Sequence, residues 1–383
     1  MILEFGGRNF YSFKEGFEVS LRLSASCPKK ISHNKKYTNV LALKGANASG
    51  KTNVLKVLPF IREVALNSFS LKPEEKIAFG SFFHNDEPTS LYIVFSENNI
   101  EYKYEIELTQ DKIISEVLFR KEKRETKIIE RQENKLVYTS KVFDELKVMK
   151  LRDNASLIST ALQYELSSIN QISLLFKTIF SPNIDMFGRH DRLPNYQLAS
   201  EYYYKNPEIF NFVKYVLKKS DTGIEDIRIL DMENKETGEI DYFPVFDYVV
   251  DGDIRSLIFF DQSSGVRSLY QQLGYYKIVL EEGTMLVLDE FDIHLHPDLL
   301  PMIIDFFENP EKNKNNSQLI FTTHNNEIMD LLGKYRTILV NKDQNESYLY
   351  RLDEIDGDII RNDRPISPIY SAGKLGGKPK LQL

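Results

Sequence analysis

The clearest alternation in the chain runs through residues 100–108. Tyr102, Tyr104, Ile106 and Leu108 fall on one side, and Glu101, Lys103, Glu105 and Glu107 on the other. Side chains two apart share a strand face, so this predicts a half-exposed antiparallel strand. Ile113-Ile114, Val117-Leu118-Phe119, Ile128-Ile129 and Leu136-Val137-Tyr138 predict its neighbours in a meander. Residues 2–5 and 17–23 predict two further strands. The mixed-sign cluster from Arg120 to Lys127 predicts a solvated hairpin rather than a basic patch. Helical spacing marks residues 53–64 (Val54, Leu55, Val57, Leu58, Ile61), 155–180 (Leu157, Ile158, Leu162, Leu166, Ile169, Ile172) and 197–219 (Tyr202, Tyr203, Ile209, Phe212, Val213, Val216, Leu217). Ser181-Pro182-Asn183 and residues 188–195 interrupt it. Strand patterns return at 224–230, 242–250 and 257–260. From there strand and helix alternate: 264–280, 284–289, 297–307, 318–322, 327–332 and 336–340. Such alternation predicts an α/β layer with a mostly parallel sheet.

Composition narrows the picture. The chain has 383 residues, enough for one large domain or two ordinary ones, and 42% of them are hydrophobic. A core of that size needs no disulfide or metal staple. The single cysteine, Cys27, cannot form an internal bridge and fits a reducing cytosol. The start Met1-Ile2-Leu3-Glu4 lacks a basic-then-apolar signal pattern. No apolar run reaches the roughly 20 residues a membrane helix needs. These features lead us to expect a cytoplasmic protein with no membrane partner. A net charge of −7 argues against a protein that coats nucleic acid all over, while leaving room for a local basic patch.

The chemistry gathers at residues 45–52, Gly-Ala-Asn-Ala-Ser-Gly-Lys-Thr. This is G-x-x-x-x-G-K-[ST], preceded by the apolar run 40–43 and followed by the helix 53–64, the context a phosphate-binding loop requires. Glycines let the backbone N–H groups curl inward, and the helix N-terminus adds a positive dipole end. Lys51 would reach the β and γ phosphates, and the Thr52 hydroxyl would meet Mg²⁺. Far downstream, residues 284–290 form an apolar strand ending in Asp289-Glu290. Asp289 suits the Mg²⁺ shell, and Glu290 could polarise an attacking water. Residues 318–325 form another apolar strand ending at His324, which in a nucleotide site could contact the γ-phosphate or that water. Alone, it would read as a structural histidine. Ser263-Ser264-Gly265 opens the helix before the Asp-Glu strand and reads as an N-cap or as an anion site.

The order of these motifs resembles ABC-type ATPases of the SMC/RecF group. It looks most like small single-chain members of prokaryotic defence systems, AAA-type ATP-binding proteins related to the ATPase part of OLD-family nucleases. The resemblance covers residues 1–60 and 255–345. Asn9-Phe10-Tyr11-Ser12-Phe13 is similar to the Asn-Phe-x-Ser-Phe stretch of that group, and residues 45–53 to its Walker A. Ser263-Ser264-Gly265 resembles the signature, Leu288-Asp289-Glu290 Walker B, Leu295-His296-Pro297 the D-loop, and His324 the switch histidine. The end, residues 370–379, also resembles these defence ATPases. Val266 departs from the signature of transporter subunits. No glutamine after the early strands fits a Q-loop, and Phe82-Phe83-His84-Asn85 is a weak match to one.

The resemblance implies an α/β P-loop ABC-type ATPase head with a mixed or parallel sheet, an antiparallel β subdomain and a helical insertion. It implies ATP and Mg²⁺ as ligands. Asn47, Ser49, Gly50, Lys51, Thr52 and Asn53 would hold the nucleotide, with Ser263, Gly265 and His296 contributed across a dimer. Thr52 and Asp289 would hold the metal, and Glu290 and His324 would be catalytic. The expected division is 1–150 for an N-terminal ATPase lobe, 151–222 for a helical insertion, 223–345 for a C-terminal lobe, and 346–383 for a segment that docks or makes an oligomer contact. The basic end from Ile366 onward reads equally as a disordered tail. Expected partners are a second copy in an ATP-sandwich homodimer or higher oligomer, and a separate nuclease effector, since residues 345–383 leave no room for a nuclease half. DNA is a further candidate partner, under the alternative of a RecF-like repair ATPase that clamps DNA; a third alternative is an ATP-held scaffold with negligible turnover. His294-x-His296 with Asp292 has weak metal spacing, which the D-loop reading explains.

Overall fold

The computed structural model describes residues 1–190, 195–233, 238–293 and 295–378. The chain divides into two compact units. Met1–His190, Gly283–Phe291 and Asn316–Leu383 form the first, and Asp191–Glu282 with Asp292–Asn315 the second.

Among the described residues, two large sheets and one two-stranded hairpin sheet build the first unit. The six-stranded sheet runs in the order Glu346–Arg351, Thr337–Asp343, Val40–Lys44, Gln318–Thr323, Met285–Leu288, Ile179–Phe180. Every pairing is parallel except that of the Glu346–Arg351 edge. Val40–Lys44, Met285–Leu288 and Gln318–Thr323 are buried along their whole length. Continuous apolar runs suit them because a central parallel strand is covered on both faces. The edge strand is joined to its neighbour through Gln344 and Asn345, both at positive φ (45° and 67°), as a tight hairpin turn prefers.

The second sheet has seven antiparallel strands in the order Phe17–Ser20, Ile2–Arg8, Thr89–Glu97, Ile100–Leu108, Ile113–Lys121, Glu125–Gln132, Lys135–Thr139. Tyr102, Tyr104, Ile106 and Leu108 are buried, as their alternation predicts. The two apolar fragments 113–114 and 117–119 are parts of one strand. The strand expected over 17–23 stops at Ser20. The charge cluster lies at the solvated turn joining Ile113–Lys121 to Glu125–Gln132. Together the seven strands and the parallel sheet give the mixed α/β fold that the motifs imply.

The helix expected over 155–180 is broken into Leu157–Gln163, a 3-10 turn Ser167–Ile169, Asn170–Lys177 and the strand Ile179–Phe180. Ser156 caps the first piece by accepting from Ser159 N at 2.9 Å. Glu165, at φ 57°, turns the chain out of it. The strand forms because Ile179 and Phe180 pair with Met285 and Leu286. A buried polar network ties these pieces to the antiparallel sheet. Arg131 is fully buried and faces Glu116 at 3.3 Å. Glu116 also accepts from Tyr104 Oη at 2.9 Å and Leu157 N at 2.7 Å, while Arg131 donates to Ala155 O and Arg152 O, both at 2.5 Å.

The second unit packs helices Tyr196–Lys205, Pro207–Lys219 and Ser264–Glu282 with an antiparallel sheet of Asp226–Glu233, Ile240–Val250 and Asp253–Ile258. Pro207 starts a new helix where the spacing over 197–219 predicts one. The Arg228 guanidinium, bonded to Asp247 at 2.7 and 2.9 Å, holds that carboxyl down to about 2. Among the described residues, no helix is long and apolar enough to cross a membrane.

Residues 366–377 are not a loose tail. Ile366, Tyr370 and Leu375 are buried against Met329, Leu339 and Leu352. Asp330 accepts from Ser367 N at 2.8 Å, and Tyr370 Oη donates to Gly377 O at 2.8 Å. Residues 379–383 lie outside the described residues.

Candidate functional site

The buried strand Val40–Lys44 ends where residues 45–52 turn the chain into the helix Lys51–Asn67. Gly50 makes the turn at φ 107°. A Cβ there would lie 2.6 Å from Ser347 Oγ and 2.8 Å from Ser12 Oγ, so both backbone and space require glycine. The aromatic stretch near the N-terminus braces this turn. Ser12 Oγ accepts from Asn53 Nδ2 at 2.9 Å and from Ser347 Oγ at 2.8 Å, and Ser347 N donates to Ser12 O at 2.8 Å. Phe10 and Phe13 are buried beneath it, and Asn9 Nδ2 donates to Asn85 Oδ1 and Glu87 O at 2.9 and 2.7 Å. Asn53 therefore directs its amide at Ser12, behind the loop.

Lys51 lies within the curl. It is 7% exposed, and its Nζ donates to Gly45 O at 3.0 Å and Ala46 O at 2.9 Å. Ser49 is 2% exposed and its Oγ is left without a hydrogen-bond partner. A buried unpaired hydroxyl is costly unless a ligand completes it. Asn47 is exposed at the crest of the loop.

The sheet order brings the acidic pair to the same place. Gln318–Thr323 lies between Val40–Lys44 and Met285–Leu288, so the loop and Asp289 meet across the end of one intervening strand. Thr52 Oγ1 donates to Asp289 Oδ2 at 2.8 Å, although the two are 237 residues apart in sequence. Thr322 Oγ1 donates to Asp289 Oδ1 at 2.6 Å and accepts from Glu290 N at 2.7 Å. Glu290 sits at φ 51°, in the left-handed region, held there by that amide bond. His324 is exposed at the end of the Gln318–Thr323 strand, and Lys44 Nζ donates to its carbonyl oxygen at 2.8 Å.

Several residues at this site escaped the sequence reading. Asn183 clamps the Asp289 backbone from both sides, donating to Asp289 O at 2.7 Å and accepting from Asp289 N at 3.1 Å. It follows the edge strand Ile179–Phe180, a stretch too short to show a period. Phe82-Phe83-His84-Asn85 instead bonds to Asn9, with Phe82 N 3.2 Å from Asn9 Oδ1. After Asn183 comes a tight hairpin of Ile184–Asp185 with Gly188–Arg189. Its Arg189 guanidinium is ion-paired with Glu290. Gly188, at φ 129°, lets it approach the helix: a Cβ there would be 3.2 Å from Lys56 Cε. Lys56 lies 3.8 Å over the Tyr11 ring, and burial pushes its pKa down against the pull of Asp185 and Asp289.

Ser263, Gly265 and His296 belong to the second unit. Ser263 Oγ accepts from Val266 N at 3.3 Å, as an N-cap does, and its side chain is exposed; Gly265 is half-buried beside it. His296 is exposed and caps the Pro297–Leu299 turn, with Asp298 N 3.3 Å from its Nδ1. His294 lies outside the described residues.

The residues of the first unit fit a nucleoside triphosphate with magnesium. Thr52 and Asp289 offer adjacent hard oxygen donors, as Mg²⁺ prefers. Lys51, the orphaned Ser49 hydroxyl and the start of a 17-residue helix offer cation, donor and dipole to phosphate.

Residues 40–330 match the family described as "AAA domain, putative AbiEii toxin, Type IV TA system". No curated protein matches the chain. Similar solved structures include the SMC head domain from Thermotoga maritima, at 14% identity over 93% of this chain and 99% of that one, with a TM-score of 0.48. Another is an Smc head domain with a coiled coil and joint from Pyrococcus yayanosii, at 11% identity over 97% and 99%, TM-score 0.47. A third, from Pyrococcus furiosus, is an Smc head domain with an extended coiled coil bound to the C-terminal domain of ScpA, at 11% identity over 92% and 97%, TM-score 0.43. The family match runs from the strand before the phosphate loop, through Asp289 and Glu290, to beyond His324, and the chain belongs to this AAA-domain family.

Proposed function

We propose that the protein is a magnesium-dependent ATPase of ABC type that closes as a pair of copies around ATP and controls a separate toxic effector, a nuclease in an anti-phage system. The observation that carries the ATPase reading is the meeting of Thr52 and Asp289 at 2.8 Å beside the Lys51 loop. Two hard oxygens, a lysine and a helix N-terminus converge there, although Thr52 and Asp289 are 237 residues apart in the chain.

In this reading the loop amides, Ser49 and Lys51 hold the phosphates, with Asn47 at the rim. Thr52 and Asp289 hold Mg²⁺, which neutralises phosphate charge when bound. Thr322 fixes both the Asp289 carboxylate and the Glu290 backbone, so the two acids keep their separate tasks. Glu290 accepts a proton from water, and His324 orients that water or the terminal phosphate. Ser263 and Gly265 of a second copy cap the same phosphates, with His296 beside them. ATP then favours the closed pair because these contacts exist only there. The effector part of the proposal is supported by the toxin–antitoxin wording of the family description.

Mixing two inactive variants tests the shared site. Lys51→Ala and Ser263→Arg damage different halves of one site. A mixed pair has one site with both lesions and one with neither. After subunit exchange, titrating one variant against the other should restore part of the wild-type hydrolysis. A flat zero line, with exchange shown by tag pull-down, argues against independent sites shared between copies.

A further inference from the structure

We propose that Arg189 is a positioning residue that holds Glu290 out of its base geometry, so that the hairpin carrying it is a latch on the hydrolytic site. This rests on the reading of Glu290 as the general base. A carboxylate accepts a proton from water only with an oxygen turned to meet that water. The Arg189 guanidinium engages Glu290 Oε2 and so fixes the direction in which the carboxylate points. The two side chains are 25% and 34% exposed, so solvent screens the pair only in part.

The hairpin is anchored so that it can release without unfolding the site. Its base is fixed by Asn183, bonded at 2.7 and 3.1 Å to the Asp289 backbone, and closed by His190 N donating to Asn183 O at 3.1 Å. Its turn is tied by Asp185 Oδ1, which accepts from Phe187 N at 2.7 Å and Gly188 N at 3.0 Å. Tyr11 Oη holds Met186 O at 2.8 Å. Arg189 lies on the returning strand, and its pair is a side-chain contact. Breaking that contact costs no backbone hydrogen bond of the Asp289 clamp. The Glu290 amide would stay on Thr322, so the carboxylate could turn toward water while its backbone stayed fixed.

Two measurements on the full chain test this. The first is steady-state hydrolysis by wild type, Arg189→Gln and Arg189→Lys at saturating Mg-ATP. Arg189→Gln should raise kcat about fivefold with KM unchanged, the gain expected from losing one partly screened charge pair. Arg189→Lys, which keeps the charge, should return kcat to near the wild-type value. The second is hydrogen exchange of the 181–190 segment without nucleotide. Arg189→Gln and Glu290→Gln should each speed exchange in that segment while leaving the 51–67 helix unchanged. A fall in kcat in Arg189→Gln would overturn the latch and make Arg189 a stabilising contact of the reaction. Unchanged exchange in both variants would also overturn it. If no variant and no wild type hydrolyses ATP, the proposed ATPase activity fails, and the exchange result still decides whether the pair holds the hairpin.

Discussion

At the scale of single residues, the proposed reading gives each side chain of the phosphate loop a distinct task. Lys51 is the residue on which nucleotide binding would depend most. The motif alone suggests a lysine reaching outward from a solvent-facing loop. In the structure its Nζ is folded within the curl, on Gly45 O and Ala46 O, and it is 7% exposed. Lys51→Ala should therefore abolish ATP binding in a fluorescence titration and lower stability by about 1–2 kcal/mol, because two loop carbonyls lose a donor. Wild-type affinity for ATP in this variant would contradict the loop's role. That Lys51, Thr52 and the acidic pair would gather in one place was legible in the sequence, because each stands in a dense local motif, and Thr52 does meet Asp289. Asn183, Arg189 and Thr322 were not. They act at this site through tertiary placement, and neither SPN nor GRH has a spacing that announces a partner more than 100 residues away.

At the scale of elements, periodicity served best where one face is buried. The strand Ile100–Leu108 and the helix Lys51–Asn67 follow their patterns closely. The region 155–180 did not, because a helical spacing of apolar residues is compatible with several short pieces. Glu165 at positive φ and the pairing of Ile179 with Met285 decide the matter, and neither is a local signal. The buried Glu116–Arg131 network holds these pieces to the antiparallel sheet. Arg131→Met leaves Glu116 buried without its cation, and removing one partner of such a pair costs about 3–5 kcal/mol. Urea unfolding should show a loss of that order. A loss below about 1 kcal/mol would mean that Glu116 is satisfied by Tyr104 and Leu157 alone.

At the scale of the whole molecule, the C-terminal segment is part of the first unit's core. The sequence offered a tail or a docking segment with equal weight, since the stretch is glycine-containing and basic. Tyr370 and Leu375 pack on Met329 and Leu339, so it is not a loose tail. Lys44, whose Nζ lies 5.1 Å over the Tyr370 ring and bonds His324 O, links this segment to the candidate site. Deleting residues 370–383 should cost about 3–6 kcal/mol, the burial of two large side chains, as read by thermal or urea unfolding. Unchanged stability would return the segment to a tail. The central claim is that ATP joins two copies through the Lys51 loop and the Ser263 helix start. Light scattering of Glu290→Gln tests it most directly, because this variant should bind ATP and fail to discharge it. With Mg-ATP its mass should rise from the 44.6 kDa of one chain to twice that value, and Ser263→Arg added to the same variant should abolish the rise. A mass that stays the same with and without ATP, while ATP binding is shown independently, would contradict the account.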